Sequence, residues 1–317
     1  MDVISLTHPF ADKPQGPSGK QVIAIGEFDG VHRGHQEVIA KACSSAKAAG
    51  CELALMTFDP HPRKVIGIEG YDQLLAPVPL KLELFDKLGV DRTYLVTFND
   101  NLMRLSASEF VERILIPLEP ETIIVGFDFR FGHRAEGNVD TLCELSKGRF
   151  AVQVVRPYLI EGAEVKISSS AIRTALSEGD VKTANQLLGR AYSIQGEVIH
   201  GDARGRTIGF RTANLQLQSP YLIPRYGVYA VRVELNGNIY NGVMNIGVKP
   251  TFQTGELKLS LEVHILDFSE DIYGQQLKVE LIDFIRGEQK FSSIEELIKE
   301  IQANANTARS ILSSISK

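Results

Sequence analysis

The chain has 317 residues and a formal net charge of −5 at pH 7, with 34 basic and 39 acidic side chains. This length predicts about two domains, and the interspersed acidic excess argues against a nucleic-acid or anionic-membrane surface. Residues 1–20 lack a signal-peptide pattern, no apolar run approaches about 20 residues, and three scattered cysteines are too few for a disulfide framework. We therefore expect a soluble cytoplasmic protein without a membrane or nucleic-acid partner.

A short apolar strand at residues 22–25 leads into a loop that contains Gly26, Gly30 and Gly34. Glycine permits tight turns and close backbone approach. A helix follows the loop and ends at Gly50, so its unpaired N–H groups and positive dipole end lie toward the loop. This junction favours the binding of an anion such as a phosphate.

Two histidines, His32 and His35, lie three residues apart at this junction and are able to donate to the same phosphate. Plain βα turns with exposed histidines are also common, and the pair would suit a metal ion together with His61. The residues alone leave these three interpretations open.

The first half of the chain alternates strand and helix patterns. Further strands are predicted at residues 53–58, 93–98, 122–125 and 151–155. Helices are predicted near residues 81–88, 106–115 and 138–147, one of them with a capping box from Ser106 to Glu109. The alternation predicts an α/β domain with a Rossmann-like parallel sheet that binds its ligand beyond the carboxyl ends of the strands.

From Tyr192 to about Phe284 the pattern changes to consecutive strands, including a hairpin around Asn236-Gly237. A small all-β barrel is the expected closure. Residues 292–315 predict an amphipathic helix that opens with a Ser292–Glu295 capping box and packs on the barrel, since its polar face lacks a basic bias for membranes.

Four polar motifs lie at the ends of these predicted elements. They are TFDPHP at 57–62, GFDFRFG at 126–132, ISSSAIR at 167–173, and GDARGR with GFRTAN between 201 and 214. Each also has a local explanation as a proline turn, a structural aspartate among aromatic residues, a helix cap or a hairpin turn. Taken singly, none of them assigns a function.

The chain also contains the motifs GEFDGVHRGH, LLGRAY, MNIGVKPTF and LEVHILDF. Together and in their order along nearly the whole chain, these motifs resemble those of the prokaryotic bifunctional riboflavin kinase/FMN adenylyltransferases, or FAD synthetases. The resemblance implies a nucleotidyltransferase domain over residues 1–186 and a riboflavin kinase barrel with a C-terminal helix over residues 187–317. It also implies riboflavin, FMN, FAD and ATP as small-molecule partners and Mg²⁺ as cofactor, and it leaves room for weak self-association.

For the first domain the resemblance implies that His32, His35 and Arg173 act on the ATP phosphates as catalytic residues. It assigns ATP and phosphate binding to Gly26, Phe28, Asp29, Gly30, Gly34, Ser169 and Ser170. Flavin binding is assigned to Asp59, His61 and Asp128.

For the barrel the resemblance implies that Glu262 is the catalytic base, although a lone glutamate on a strand is usually only a solvated residue. It assigns Mg²⁺ to Thr212 and Asn214. Phosphate binding is assigned to Gly201, Gly205 and Arg206.

The sequence departs from the family pattern at Arg211, where the family has a proline. One consequence would be that Thr212 is held less firmly in the position needed for phosphoryl transfer, because a rigid residue is lost. The alternative is that Arg211 adds a contact to a phosphate. Two alternatives therefore stay open beside the bifunctional enzyme: an adenylyltransferase whose barrel only binds flavin or nucleotide, and a non-catalytic flavin-sensing or RNA-contacting regulator.

Overall fold

The computed structural model describes residues 1–10, 19–156, 167–201, 210–250 and 257–315. The chain divides into two compact units, Met1–Ser169 and Ser170–Lys317. Within the described ranges, no helix has both the length and the apolar character that crossing a bilayer requires.

The first unit contains a six-stranded parallel sheet with the strand order β1-β4-β3-β2-β5-β6. Its strands are β1 (Asp2–Leu6), β2 (Gln21–Ile25), β3 (Glu52–Asp59), β4 (Arg92–Thr97), β5 (Pro120–Gly126) and β6 (Ala151–Val155). The predicted Rossmann-like sheet is confirmed. The edge strand β1 was not predicted, because it is short and three of its five residues are exposed.

Because β3 and β5 lie on opposite sides of β2, the chain leaves the sheet centre in two directions. The loops after β2 and β5 therefore separate at a topological switch point, where open α/β sheets form a crevice for ligands. The glycine and histidine loop after β2 lies at this crevice.

Helices cover both faces of the sheet. The helices of this unit are α1 (Arg33–Ala49), α2 (Pro62–Val65), α3 (Val78–Lys87), α4 (Asp100–Met103), α5 (Ala107–Phe110) and α6 (Val139–Ser146). Helices α1 and α3 pack on one face, while α5, the π-helical turn Val111–Leu115 and α6 pack on the other. Gly50 ends α1 with a φ of 63°, and Ser106 and Glu109 form the predicted capping box at α5.

The second unit contains two helices, a closed antiparallel barrel and a C-terminal helix. The helices are α7 (Ser169–Glu178), which begins at the unit boundary, and α8 (Val181–Leu188). The barrel has the order β10-β11-β8-β7-β12-β9. Its strands are β7 (Tyr192–Ile199), β8 (Ala213–Leu217), β9 (Gly227–Leu235), β10 (Asn238–Pro250), β11 (Leu257–Ile265) and β12 (Gln276–Arg286).

The predicted hairpin joins β9 to β10. Leu235 pairs with Asn238 across Asn236 and Gly237, which have φ values of 51° and 78°. Two successive positive φ values are the mark of the type I′ turn, whose twist matches that of the flanking strands. The Asn-Gly pair therefore fixes the register of this hairpin.

The C-terminal helix α9 (Ile294–Ile315) packs on β9, β10 and β12 through Ala305, Ala308 and Leu312, as expected. Its first turns contribute little to this contact, since Ile294 is 60% exposed.

The capping box predicted from Ser292 to Glu295 is wrong by one residue. The Glu296 N–H donates to Ser293 Oγ at 3.2 Å, and the Glu296 carboxylate accepts from the Ser292 N–H at 2.9 Å. The run Ser-Ser-Ile-Glu-Glu contains the same spacing in two registers, so the sequence pattern does not distinguish them.

Candidate active sites

In the first unit, the loop after β2 has an unusual backbone. Phe28 and Val31 adopt φ values of 49° and 43°, a region that costs a non-glycine residue on the order of 1–3 kcal/mol. The Val31 N–H donates to the Phe28 carbonyl at 3.0 Å, and the Phe28 ring is buried against His35 and Phe85. Gly30, with a φ of 86°, takes the turn between them. Buried packing thus holds a strained loop in one shape.

His32 and His35 lie together at the start of α1, as expected. Their rings stack with centroids 3.5 Å apart, and His32 Nδ1 accepts from the His35 backbone N–H at 3.2 Å as the helix N-cap. A neutral His32 ring therefore carries its proton on Nε2. Gly34 makes room for the pair, since a Cβ there would lie 3.3 Å from the His32 ring.

The Asp29 side chain is buried and holds the loop to other parts of the first unit. Its Oδ1 accepts from the backbone N–H groups of Leu75 at 2.9 Å and Ala76 at 3.2 Å. The Asp29 carbonyl accepts from Ser169 Oγ at 3.0 Å, so a hydrogen bond joins the first residue of α7 to the loop after β2. Asp29 thus sets the position of this loop.

Asp59, the last residue of β3, is exposed, and His61 in the loop that follows is buried. His61 Nε2 lies 3.1 Å from the Glu27 carboxylate, and its Nδ1 accepts from the Arg63 N–H at 3.1 Å. Both ring nitrogens have partners, so His61 connects the loops after β2 and β3. No group of three or more His, Cys, Asp or Glu in the described part of the chain is placed to hold a metal ion.

The Glu27 carboxyl at this contact has a pKa below its usual range. Burial acts to raise the pKa, but the hydrogen bond from His61 and the charges of His61, Arg63 and Lys81 outweigh it. Glu27 is therefore held as an anion in the loop after β2.

Lys81 of α3 was missed by the sequence reasoning. Its side chain is almost fully buried, and Nζ donates to the Glu27 carbonyl at 2.8 Å and lies 3.4 Å from Thr57 Oγ1. Burial lowers the pKa of Lys81, against the opposing effect of nearby carboxylates. A signal was present, because Lys81 lies four residues before Phe85 and so on the face that α3 buries.

The loop after β5 carries Asp128 and Phe127, both exposed. The Phe127 N–H donates to the Val155 carbonyl at 3.0 Å, and the Phe129 N–H donates to the Gly126 carbonyl at 3.1 Å. This tight turn leaves Asp128 at the same edge of the parallel sheet as Asp59 and Gly26.

Ser170 and Arg173 follow Ser169 in α7 and belong to the second unit. Ser170 is exposed and Arg173 is half-buried. The expected helix start at the serine motif is confirmed.

In the barrel, Glu262 of β11 lies directly opposite Asn214 of β8 in the strand register. The Glu262 carboxylate accepts from Ser260 Oγ at 3.1 Å and forms an ion pair with Lys249. Thr212 comes immediately before β8. Strand pairing thus brings together the glutamate and the asparagine that the sequence separates by 48 positions.

Gly201 lies against the Asn214 side chain, since a Cβ at residue 201 would be 2.5 Å from Asn214 Cγ. A side chain at residue 201 would therefore displace the Asn214 side chain. Two other phosphate-binding candidates, Gly205 and Arg206, lie outside the described residues.

Arg211, at the position where the resemblance implies a proline, is held at both ends. Its guanidinium donates to the Ser269 carbonyl, and its own carbonyl bonds to His264 Nδ1 at 2.7 Å. It lines a cavity of about 150 Å³ next to Thr212 and Tyr273. These contacts hold Arg211, the residue immediately before Thr212, in place.

Both halves of the chain match known families. A family model described as FAD synthetase matches residues 15–171, and one described as riboflavin kinase matches residues 188–312. Relatives named bifunctional riboflavin kinase/FMN adenylyltransferase include those of Bacillus subtilis, 42% identical over 100% of both chains, and Listeria monocytogenes, 42% identical over 99% of both. The Escherichia coli K12 relative of the same name is 36% identical over 93% of this chain and 94% of its own.

A solved structure from Streptococcus pneumoniae, named a macrolide-efflux protein, superposes with a TM-score of 0.88 and 32% identity. The match covers 98% of this chain and 99% of that one. The likenesses therefore extend over both units in sequence and in fold.

Proposed function

Because this chain belongs to the bifunctional riboflavin kinase/FMN adenylyltransferase family, we propose that its barrel phosphorylates riboflavin to FMN and its N-terminal part adenylylates FMN to FAD. The carrying observation is that each unit contains its own cluster of polar groups: the His32–His35 stack in the first, the Asn214–Glu262 pair in the second. The functional boundary is proposed between residues 186 and 187.

In the adenylylation, an oxygen of the FMN phosphate attacks the α-phosphorus of ATP, the bond to the β-phosphate breaks, and pyrophosphate leaves. His32 donates from Nε2, because its Nδ1 is engaged by the His35 N–H. His35, Arg173 and the N-terminus of α1 add positive charge or donors as negative charge develops on the phosphates. Alignment and charge stabilisation suffice, and no covalent enzyme intermediate is required.

The remaining first-domain candidates are proposed to shape or line the substrate site. Gly26, Gly30 and Gly34 let the backbone approach the phosphates, and Ser169 and Ser170 add hydroxyl donors. Phe28 and Asp29 keep the loop in position.

Asp59, His61 and Asp128 are proposed for the flavin side. The exposure of Asp59 and Asp128 at one sheet edge supports direct contact. His61 contributes by holding the loop to Glu27.

In the kinase, Glu262 accepts the proton of the riboflavin 5′-hydroxyl, whose oxygen attacks the γ-phosphorus of ATP while ADP leaves. Both reactions of the family consume ATP, typically with a divalent metal ion, and we propose Mg²⁺. The oxygen atoms of Thr212 and Asn214, beside the Glu262 carboxylate, are the ligand type that Mg²⁺ prefers. Gly201, Gly205 and Arg206 are proposed to contact the nucleotide phosphates.

We further propose that the protein works in the cytoplasm, binds no nucleic acid and at most weakly self-associates. Its three cysteines, Cys43, Cys51 and Cys143, are all free thiols, which suits a reducing compartment.

The test is a chromatographic assay of the purified protein with riboflavin, ATP and Mg²⁺, with a parallel reaction started from FMN. We expect FMN and then FAD from riboflavin. FAD from FMN with nothing from riboflavin would identify a barrel that only binds, and no product in either reaction would contradict the enzyme.

A further inference from the structure

We propose that Lys81 is a positioning residue of the adenylylation site, and that its buried positive charge, beneath the loop after β2, is needed to bind the anionic substrates. This inference rests on the proposed adenylylation. Lys81 touches no substrate; it acts through its hydrogen bond to the Glu27 carbonyl and through its charge.

The contacts of Lys81 join three elements. Its Nζ, from α3, donates to the Glu27 carbonyl in the loop after β2 and lies near Thr57 Oγ1 at the end of β3. Thr57 Oγ1 also donates to the Glu27 carbonyl at 3.0 Å. Two donors from separate elements therefore fix the peptide between Glu27 and Phe28, where the strained part of the loop after β2 begins.

A charged group is expensive at this position. Lys81 is 3% exposed, and its neighbours on α3, Leu80 and Phe85, are buried apolar side chains. An apolar residue would pack here without the cost of desolvating an ammonium group. The stability of the fold therefore does not explain a lysine at position 81. We attribute it to a requirement of the adenylylation site.

The surrounding charges indicate that requirement. Burial lowers the pKa of Lys81, and the carboxylates of Asp29, Glu27 and Asp59 oppose that shift and favour the charged form. Three carboxylates at an edge that must receive ATP and the FMN phosphate would repel both substrates. A cation fixed beneath the loop offsets this repulsion without occupying the space of the phosphates.

The test compares substitutions that separate charge, hydrogen bonding and packing. Lys81→Met removes charge and donor, Lys81→Gln keeps a donor without charge, and Lys81→Arg keeps the charge. Lys87→Met is the matched control, because Lys87 is on the same helix but 60% exposed and paired with Glu83. Circular dichroism and thermal unfolding establish that each variant is folded.

We expect Lys81→Met and Lys81→Gln each to lower kcat/KM for FAD formation at least about tenfold. This is the size of effect expected when one charge is lost near the substrate where water is partly excluded. KM for ATP and for FMN should rise, Lys81→Arg should recover part of the loss, and riboflavin phosphorylation in the same preparations should be unchanged. Lys87→Met should match the wild type.

Binding of two probes provides a readout that a merely structural role would not produce. Pyrophosphate is anionic and adenosine is neutral, so calorimetry should show Lys81→Gln weakening pyrophosphate and sparing adenosine. Equal losses of both probes, or wild-type behaviour of Lys81→Gln, would overturn the role of the charge. Absence of FAD formation in the wild type would instead contradict the proposed function, and the pyrophosphate comparison would still test Lys81.

Discussion

The two candidate sites are held in place by different kinds of structure. In the first unit, Gly26, Asp59 and Asp128 lie at the carboxyl ends of three separate parallel strands, and buried polar contacts hold the loops there. In the barrel, Asn214 and Glu262 face each other on paired strands, so backbone register sets their spacing. A loop-built site therefore depends on residues behind it, whereas a strand-built site depends mainly on the residues in it.

The largest effect is expected from Glu262→Gln. The amide cannot accept the ribityl proton, so riboflavin phosphorylation should fall by about 10²–10⁴-fold while FAD formation from FMN is kept. Steady-state rates of both reactions in one preparation measure this, with Glu234→Gln on β9 as an exposed barrel control. Retained kinase turnover would remove Glu262 as the base.

The corresponding change in the first unit is His32→Asn. Asparagine is a good N-cap, so the start of α1 should persist while the Nε2 donor is lost, and FAD formation should fall by about 10²–10³-fold. His32→Ala should in addition cost about 0.5–2 kcal/mol of unfolding free energy. Similar losses in both reactions would contradict independent sites.

Gly201→Ala tests how closely the barrel site depends on backbone contact. The new Cβ would collide with the Asn214 side chain, and a displacement of about 1 Å should slow the kinase by about 10²-fold. Gly287→Ala, where a Cβ has no atom within 4 Å, is the matched control. Equal kinase rates in the two variants would show that Asn214 needs no fixed position.

Arg211→Pro should have a smaller effect. It restores the family residue but removes the bond to the Ser269 carbonyl, so kinase kcat/KM should change by less than about tenfold, the scale of a single hydrogen bond. Kinase activity that appears only in the variant would mean that arginine impairs the natural barrel.

The smallest effect concerns the pH dependence of stability. The folded pKa of Glu27 lies below its unfolded value of about 4.3, so its contribution is present above that pH and is lost as the pH falls through the folded pKa. Glu27→Gln should therefore be less stable than wild type near pH 7, by less than about 1 kcal/mol since the carboxylate is part-exposed, and the difference should vanish in acid. Chemical denaturation at several pH values measures it, and a difference that does not change with pH would contradict the lowered pKa of Glu27.

Features that depend on local chemistry were predictable from the amino-acid sequence. The Asn236-Gly237 turn, the Ser106–Glu109 box and the helix end at Gly50 are each specified within a few residues, and all three are confirmed. Alternating strand and helix patterns likewise predicted the parallel sheet and then the barrel. Where two local registers were equal, at the start of α9, the prediction was wrong by one residue.

Contacts between groups far apart in the chain became visible in the folded structure. The burial of Lys81 and the contact of His61 with Glu27 depend on helix and loop packing across the sheet edge. Glu262 faces Asn214 because two strands far apart in the chain pair in one register. Such contacts arise from the closure of the whole fold, and no spacing within the chain encodes them locally.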